Sequence, residues 1–339
     1  MDNYTTTALL GVIENLKRPQ MGLLDMFFPT VQISDAEEIK FDVRIGKRRI
    51  APFVSPVVEG KLIEAEGFET RTFHPAYVKP KHVIKPQRGF KRAIGERIGG
   101  ERRPMDRIQA AVVEQLADDV TMIDRRMEVM ASEILRTGKV TVTGDGYPTQ
   151  VVDFLRPAGH TLTLAPGSKW GDAGVSPLKD IKSWKLQVLQ SCGAGITDAV
   201  MEADAWEQFI AEPDTSKALD ERRGGTASAE RVQSATDVGL EYMGRIGGTS
   251  YWTYQDWYVD ENDVELPILP TGTVILGSRA IAGVRVFGAI EDEQAHLNAH
   301  QYFPKSWLIE DPPKRVLMTQ SAPLVVPGRP AASFAVTVL

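Results

Sequence analysis

PMDRIQAAVVEQLADDVTMIDRRMEVMASEILRT, residues 104–137, decides how the rest of the chain is read. Ile108, Val112, Leu116, Val120, Ile123, Met127, Met130 and Ile134 step by four or three, the spacing of one helical face. Pro104 stands where a helix loses nothing by lacking an N–H. Gly138 suits the left-handed residue that closes a helix. Asp118, Asp119, Asp124, Arg125 and Arg126 fall off the stripe. At full length the helix would be about 50 Å long, a strut rather than an ordinary globular helix. Its stripe is not heptad-regular and is interrupted by small residues, so no coiled coil is expected.

Upstream the pattern changes. Residues 44–103 lack a helical period and are broken by prolines and glycines. Two β-like runs, Val54 to Ala65 and Phe68 to Val78, meet near Gly67 and predict a long two-stranded loop. A lone hairpin is marginal in water, and so long a loop in a compact protein implies a function. As an isolated subunit it should be mobile over residues 54–79. Its second limb, FHPAYVKPKHVIKPQRGFKR (73–92), concentrates six Lys/Arg and no acid in a chain of formal net charge −6. Three explanations compete for it: a nucleic-acid groove, a metal or catalytic site, and an arm laid on another protein. Further upstream, Leu9, Leu10, Ile13 and Leu16 form a weak helical face ended by Pro19. Leu23, Leu24, Phe27 and Phe28 follow as extended chain and need a partner surface, their own or another subunit's.

Downstream, KVTVTGDGYPTQVVDF (139–154) reads as a hairpin around Asp145-Gly146, with a further strand near His160 to Leu164. Ser176-Pro177 opens a helix that runs to Cys192 and stops at Gly193. A strand over Ile196 to Met201 and a helix from a cap at Asp204 to Ile210 follow. Residues 220–236 read as a polar surface loop, and 239–290 as β structure. Two last strands, Arg315 to Val326 and Ser333 to Val338, are joined by Pro327-Gly328-Arg329-Pro330.

A chain of 339 residues at pI near 5.5 has the composition of a soluble globular protein, and its acidity argues against a dedicated nucleic-acid binder. One cysteine, Cys192, rules out an internal disulfide and suits a reducing compartment. The N-terminus lacks a signal-peptide pattern, and no window is apolar enough to cross a bilayer. His296 and His300 would share a helical face, but Leu297 stands where a zinc hydrolase needs glutamate. Lysines crowd His74 and His82, which disfavours a bound cation. Cys192 reads as a buried or capping thiol rather than a nucleophile. GAGITD (193–198) lacks the third glycine of a dinucleotide loop and follows a helix instead of a strand. YWTYQDWY (251–258) offers stacking rings, yet aromatic residues also favour half-buried strands. No active site assembles from these pieces, and no cofactor or metal is expected.

Longer stretches are more specific. YTTTALL (4–10), FVSPVVEG (53–60), PAYVKPKH (75–82), VTGDGYPTQVVDF (142–154) and LDERRG (219–224) are followed by LPTGTVILGSRAIAGVRVFGAIED (269–292), YFPKSW (302–307) and MTQSAPLVVP (318–327). Together they resemble, over nearly the whole chain, the major capsid proteins of tailed bacteriophages, in particular the lambda-like capsid protein E family. The resemblance implies an α+β fold of the Hong Kong 97 type. It implies an N-arm over 1–43, an extended E-loop over 44–103 and a peripheral domain over 104–168 that begins with the spine helix. An axial domain over 169–310 and peripheral strands over 311–339 complete the expected division. It favours the third explanation of the basic limb, an arm holding a neighbour. Phe27, Phe28, Phe53, Val57, Phe68, Phe73, Tyr77, Lys79, Lys81, Lys85 and Arg88 are the residues it puts at subunit contacts.

The partners it implies are further copies of the chain in hexamers and pentamers, a portal, a decoration protein and packaged double-stranded DNA, with no membrane. Some relatives fuse a helical leader in front of the arm. This sequence begins with the arm, so a separate scaffolding protein is expected. Some relatives also join subunits by Lys–Asn bonds. No such set can be assigned here, and no covalent crosslink is expected.

Overall fold

The computed structural model describes residues 4–16, 20–36, 38–45, 67–92, 102–144, 146–215 and 239–339, with the isolated positions 51, 53, 56 and 59. The arm opens with α1 (Thr6–Asn15) and continues through α2 (Leu23–Phe27) and strand β1 (Thr30–Ile33). Strands β2 (Ile39–Ile45), β3 (Gly67–Phe73) and β4 (Lys81–Ile84) precede the long helix α3 (Pro104–Thr137). The hairpin β5 (Lys139–Gly144) and β6 (Tyr147–Asp153) leads to β7 (Thr161–Thr163) and α4 (Pro177–Cys192). Then come β8 (Asp198–Met201), α5 (Ala203–Ala211), β9 (Leu240–Ile246), β10 (Thr249–Tyr254), β11 (Trp257–Val259) and β12 (Glu265–Pro267). The chain ends through β13 (Thr273–Gly277), β14 (Val284–Phe287), β15 (Phe303–Ile309), β16 (Lys314–Gln320), β17 (Pro323–Val326) and β18 (Ser333–Thr337).

Helix α3 has the limits its stripe and caps predict. Gly138 is left-handed at φ 74°, and its N–H bonds the Ile134 carbonyl. No Cβ fits there, because one would lie 2.6 Å from the Arg156 side chain. That close approach lets the buried Arg156 donate to the terminal helix carbonyls of Leu135 and Arg136 and to the Thr161 hydroxyl. A cation at a helix C-terminus also answers the helix dipole. Burial lowers the guanidinium to about 10, so it stays charged at neutral pH. Helix α4 stops in the same way, at Gly193 with φ 71°.

Among the described residues, the two larger hydrophobic clusters form the main cores, with a small third one of Ile290, Ala295 and Phe303. Of the larger two, one runs along α3 and takes in Leu9, Leu23, Leu24, Phe27 and Phe28 of the arm, with Leu317, Leu324 and Val325. The other is aromatic: Trp170, Trp184, Trp206, Phe209, Tyr251 and Phe334 pack together between α4, α5 and the six-stranded sheet β7–β18–β13–β8–β10–β9.

Several expectations change. The segment read as extended chain contains the short helix α2. The run from Phe68 pairs with β2, from Ile39↔Phe73 to Ile45↔Gly67, while the run expected at 54–65 lies mostly outside the described residues. The cap of α5 is Glu202, whose carboxylate accepts from the Asp204 N–H. The polar loop expected at 220–236 also lies outside the described residues. The largest change concerns β18. It sits between β13 and β7 in the six-stranded sheet, with Phe334, Val336 and Val338 in the aromatic core. The sheet therefore joins strands from both sides of the expected boundaries at 168/169 and 310/311.

Candidate assembly surface

The basic limb is stitched to its own subunit along one side. Tyr77 donates its hydroxyl hydrogen to the Ala289 carbonyl at 3.0 Å and accepts from the Glu291 N–H at 3.1 Å. Val78 and Ser321 exchange backbone hydrogen bonds of 2.8 and 3.0 Å. Strand β4 then joins β16 as the third strand of the sheet β15–β16–β4, in register from Lys81↔Met318 to Ile84↔Arg315. Pro80 interrupts the ladder: the Thr319 N–H donates to the Pro80 carbonyl at 3.1 Å, and proline has no N–H to return the bond. Residues 78–84 are thus part of the sheet, which corrects the picture of a free limb over that range.

The charges face the other way. Lys79, Lys81 and Lys85 are exposed. The Lys79 ammonium lies 4.4 Å from the centre of the Tyr77 ring, and Lys81 lies 5.3 Å from that of Trp307. Arg88 reaches Glu114 of α3 at 3.8 Å, with both side chains well exposed. Phe90 and Met105 are solvent-exposed beside this patch, at 78% and 60%. The surface combines cations with uncovered apolar area, a composition suited to docking on an acidic protein face.

Other expected contact residues fall elsewhere. Phe27, Phe28 and Phe73 are enclosed by the chain's own core, at 1%, 0% and 4% exposure, and in this conformation present nothing to a neighbour. For Phe27 and Phe28 the reason is α2, whose apolar side closes over α3. Phe53 is fully exposed. Val57 and the side chain of Phe68 lie outside the described residues.

The residues that hold arm and limb in place were not anticipated. They are acids on α3. Both oxygens of the fully buried Glu128 accept backbone N–H groups of the arm, Leu23 at 2.7 Å and Leu24 at 2.8 Å, and Oε1 also accepts the Tyr254 hydroxyl at 2.8 Å. Burial pushes this carboxyl above the ordinary glutamate range, against the pull of its donors. Asp119, equally buried, accepts the Thr319 hydroxyl at 2.6 Å and lies 2.7 Å from His82 Nε2 on β4. Burial raises it as well, with Thr319 and His82 acting the other way. Asp124 accepts the Tyr302 hydroxyl. A signal for two of them was present. Leu116, Val120, Asp124, Glu128 and Ser132 form one row of four-residue steps, and all five are buried. Asp119 and Asp124, which fall off the apolar stripe, are buried all the same, because strands pack on this helix and each acid finds a donor there.

The remaining candidates resolve structurally. His296 is left-handed at the end of a short 3-10 turn, so it shares no helix face with His300. Cys192 is half-buried and donates to the Val188 and Ala331 carbonyls at 3.3 and 3.4 Å. The GAGITD segment runs from helix α4 into strand β8, the reverse of a dinucleotide loop. Tyr251 and Tyr254 are core residues. One cleft of about 370 Å³ is lined by Asp35, His74, Tyr77, Glu291 and Leu297, and another of about 240 Å³ by residues 71–73 and 150–153. No helix among the described residues is long and apolar enough to cross a membrane.

Comparison with known proteins agrees with the fold and the chain order. The major capsid protein of Enterobacteria phage P21 is 31% identical over 334 residues, covering 96% of each chain. The major capsid protein of Escherichia phage lambda is 29% identical over 338 residues, covering 97% of each. A crystal structure described as a prophage capsid protein from E. coli CFT073 superposes with a TM-score of 0.78 at 22% identity, over 98% of this chain and 99% of that one. The capsid of Ralstonia phage GP4 gives 0.55 at 12% identity, over 95% and 92%. The fold is the mixed helix-and-strand Hong Kong 97 type. The family described as phage major capsid protein E matches residues 5–338, and the chain belongs to it.

Proposed function

We propose that this chain is the structural subunit of a phage head, assembling through hexamers and pentamers into an icosahedral shell around double-stranded DNA, and that it catalyses no reaction. The carrying observation is the two-sided limb: its backbone is fixed to its own sheet while Lys79, Lys81, Lys85 and Arg88 project beside exposed Phe90. A surface of this kind suits an acidic neighbour, and a chain of net charge −6 supplies one in every further copy. Tyr77 acts from below, fixing the limb so that the cations hold their positions. Phe53, Val57 and Phe68 belong to the same contact.

Residues 1–43 serve as the arm, 44–103 as the extended loop, and 104–168 with 311–332 as the peripheral part. Residues 169–310 serve as the axial part, to which β18 is added on the strength of its sheet pairing. Assembly takes place in the bacterial cytoplasm with a separate scaffolding protein and a portal, and the mature shell takes a decoration protein. Net negative charge suits a container that must release its DNA, because a basic lining would grip phosphate. Shell stability comes from noncovalent contacts, so mature particles should give no SDS-resistant ladder.

The test is electron microscopy of the full chain, expressed alone and together with its gene neighbours. Shells, tubes or hexameric sheets are the expected result. Only small oligomers with the neighbours present would overturn the reading. The second reading, a nucleic-acid-binding protein using residues 73–103, rests on the same cations and rings. It requires DNA affinity that falls steeply with salt.

A further inference from the structure

Strand β1 is an open edge. It ends the three-stranded sheet β1–β14–β17, and no strand among the described residues pairs with its outer side. All four of its residues are exposed, with Val31 and Ile33 at 43% and 54%. Its inner side is pinned at both ends. The Phe28 carbonyl accepts from Arg285 Nε at 2.7 Å, and the Ser34 N–H donates to the Phe287 carbonyl at 2.9 Å. Strand alternation then turns the N–H and C=O groups of Val31 and Ile33 outward. Soluble proteins usually blunt such an edge with lysine, proline or a bulge inside the strand. TVQI carries none of these.

We propose that β1 is the edge on which a second copy of this chain docks, antiparallel, about a two-fold axis passing beside Gln32. This rests on the shell-subunit reading, which supplies the second copy. The sequence itself favours self-pairing. MFFPTVQIS (26–34) is uncharged in a chain of net charge −6, so two copies approach without repulsion. Pairing about Gln32 sets Val31 against the neighbour's Ile33, and their outward N–H and C=O groups bond reciprocally. It sets Thr30 against Ser34 and the acidic Asp35 against Pro29, so no like charges face each other. The contact is isologous, and it fuses two three-stranded sheets into one continuous sheet across the axis.

The register gives a sharp test. Gln32 faces its own copy as a non-hydrogen-bonded pair, at about 4.5 Å between Cα atoms, within disulfide reach. In full-length chain with Cys192→Ser, Gln32→Cys shells should yield disulfide-linked dimers on oxidation. Thr30→Cys shells should stay monomeric, because the two positions lie about 13 Å apart along the strands. Intact shells whose Gln32→Cys subunits remain monomeric would overturn the proposal. If Gln32→Cys itself blocks shell formation, Val31→Lys decides. Its side chain is exposed, so the unassembled chain should melt as wild type and shells should be lost; normal shells from it would overturn the proposal. Wild-type chain that forms no shells with its gene neighbours would instead sink the capsid reading, a separately readable outcome.

Discussion

The two larger cores among the described residues are built on opposite principles. In the aromatic core, Trp184 lies between Trp170 and Phe334, with ring centres 6.2 and 5.9 Å away, and Phe209 stacks on Tyr251 at 5.1 Å. A polar edge of this core is the Trp170 indole, which donates to Asp180 at 3.1 Å. The core along α3 instead threads buried carboxylates through aliphatic packing. Each one ties the helix to a segment distant in sequence: Glu128 to the arm, Asp119 to β4 and β16, Asp124 to Tyr302. Apolar packing sets how strongly segments adhere, whereas a buried acceptor sets which donors must be present, since an unmet donor is costly. The aromatic core fixes a lobe as a unit. The α3 core fixes the register of arm and limb.

The difference can be broken most severely in the aromatic core. Trp184→Ala should destabilise the unassembled chain by about 3–5 kcal/mol, because a large buried ring leaves a cavity the surrounding rings cannot fill. Chemical denaturation should show the loss, with hydrogen exchange rising together over α4, β8, β13 and β18. Exchange confined to α4 would mean that the lobe is not one cooperative unit.

Glu128→Ala should cost somewhat less, roughly 3 kcal/mol, from three stranded donors at the low end of about 1–3 kcal/mol each. Its signature is local. Amide protection should fall over residues 20–28 and persist in β8 and β13. Equal loss in both cores would show that Glu128 is not a specific tie. Glu128→Gln should cost less than alanine, because one oxygen still accepts while the amide NH₂ opposes a backbone N–H.

That pair of variants also sharpens the electrostatics. The folded-state carboxyl of Glu128 lies above its ordinary 4.5, with burial as the largest cause. A raised acid contributes stability fully present below the unfolded value and lost as pH rises through the folded one. The stability advantage of wild type over Glu128→Gln should therefore grow as pH falls from neutral toward 4.5. A difference that shrinks on acidification would mean that the three donors outweigh burial.

What could be read in advance follows the same division. Helix α3 was legible to its ends, because stripe, Pro104 and Gly138 are all local signals. The ending of α4 at Gly193 was legible for the same reason. The burial of Asp119 was not, since its donor Thr319 lies 200 positions away. The place of β18 was not either. SFAVT reads as a strand, but nothing within it names β13 and β7 as its neighbours. Phe27 and Phe28 were correctly seen to need cover, and only the three-dimensional packing shows that α3 and its strands provide it. The exposure of the limb's lysines was legible because six cations without an acid resist any core explanation. The limb's strand pairing was hidden because β4 finds its partner, β16, far along the chain.

The smallest effect on folding should come from the limb's cations, and there the comparison moves from cores to surface. Lys79, Lys81 and Lys85 are exposed, and the Arg88–Glu114 contact is open to water, where an ion pair contributes only about 0–1 kcal/mol. Replacing all four by glutamine should leave the melting temperature of the unassembled chain nearly unchanged. Stem packing on Tyr77 and Trp307 survives in part, because glutamine keeps two methylenes. Assembly should nevertheless fail, since every subunit repeats the lost contact and a shell multiplies the deficit over all its copies. Wild-type shells from the fourfold variant would show that the cations hold no neighbour. Normal assembly accompanied by lost, salt-sensitive DNA binding would instead assign the limb to nucleic acid.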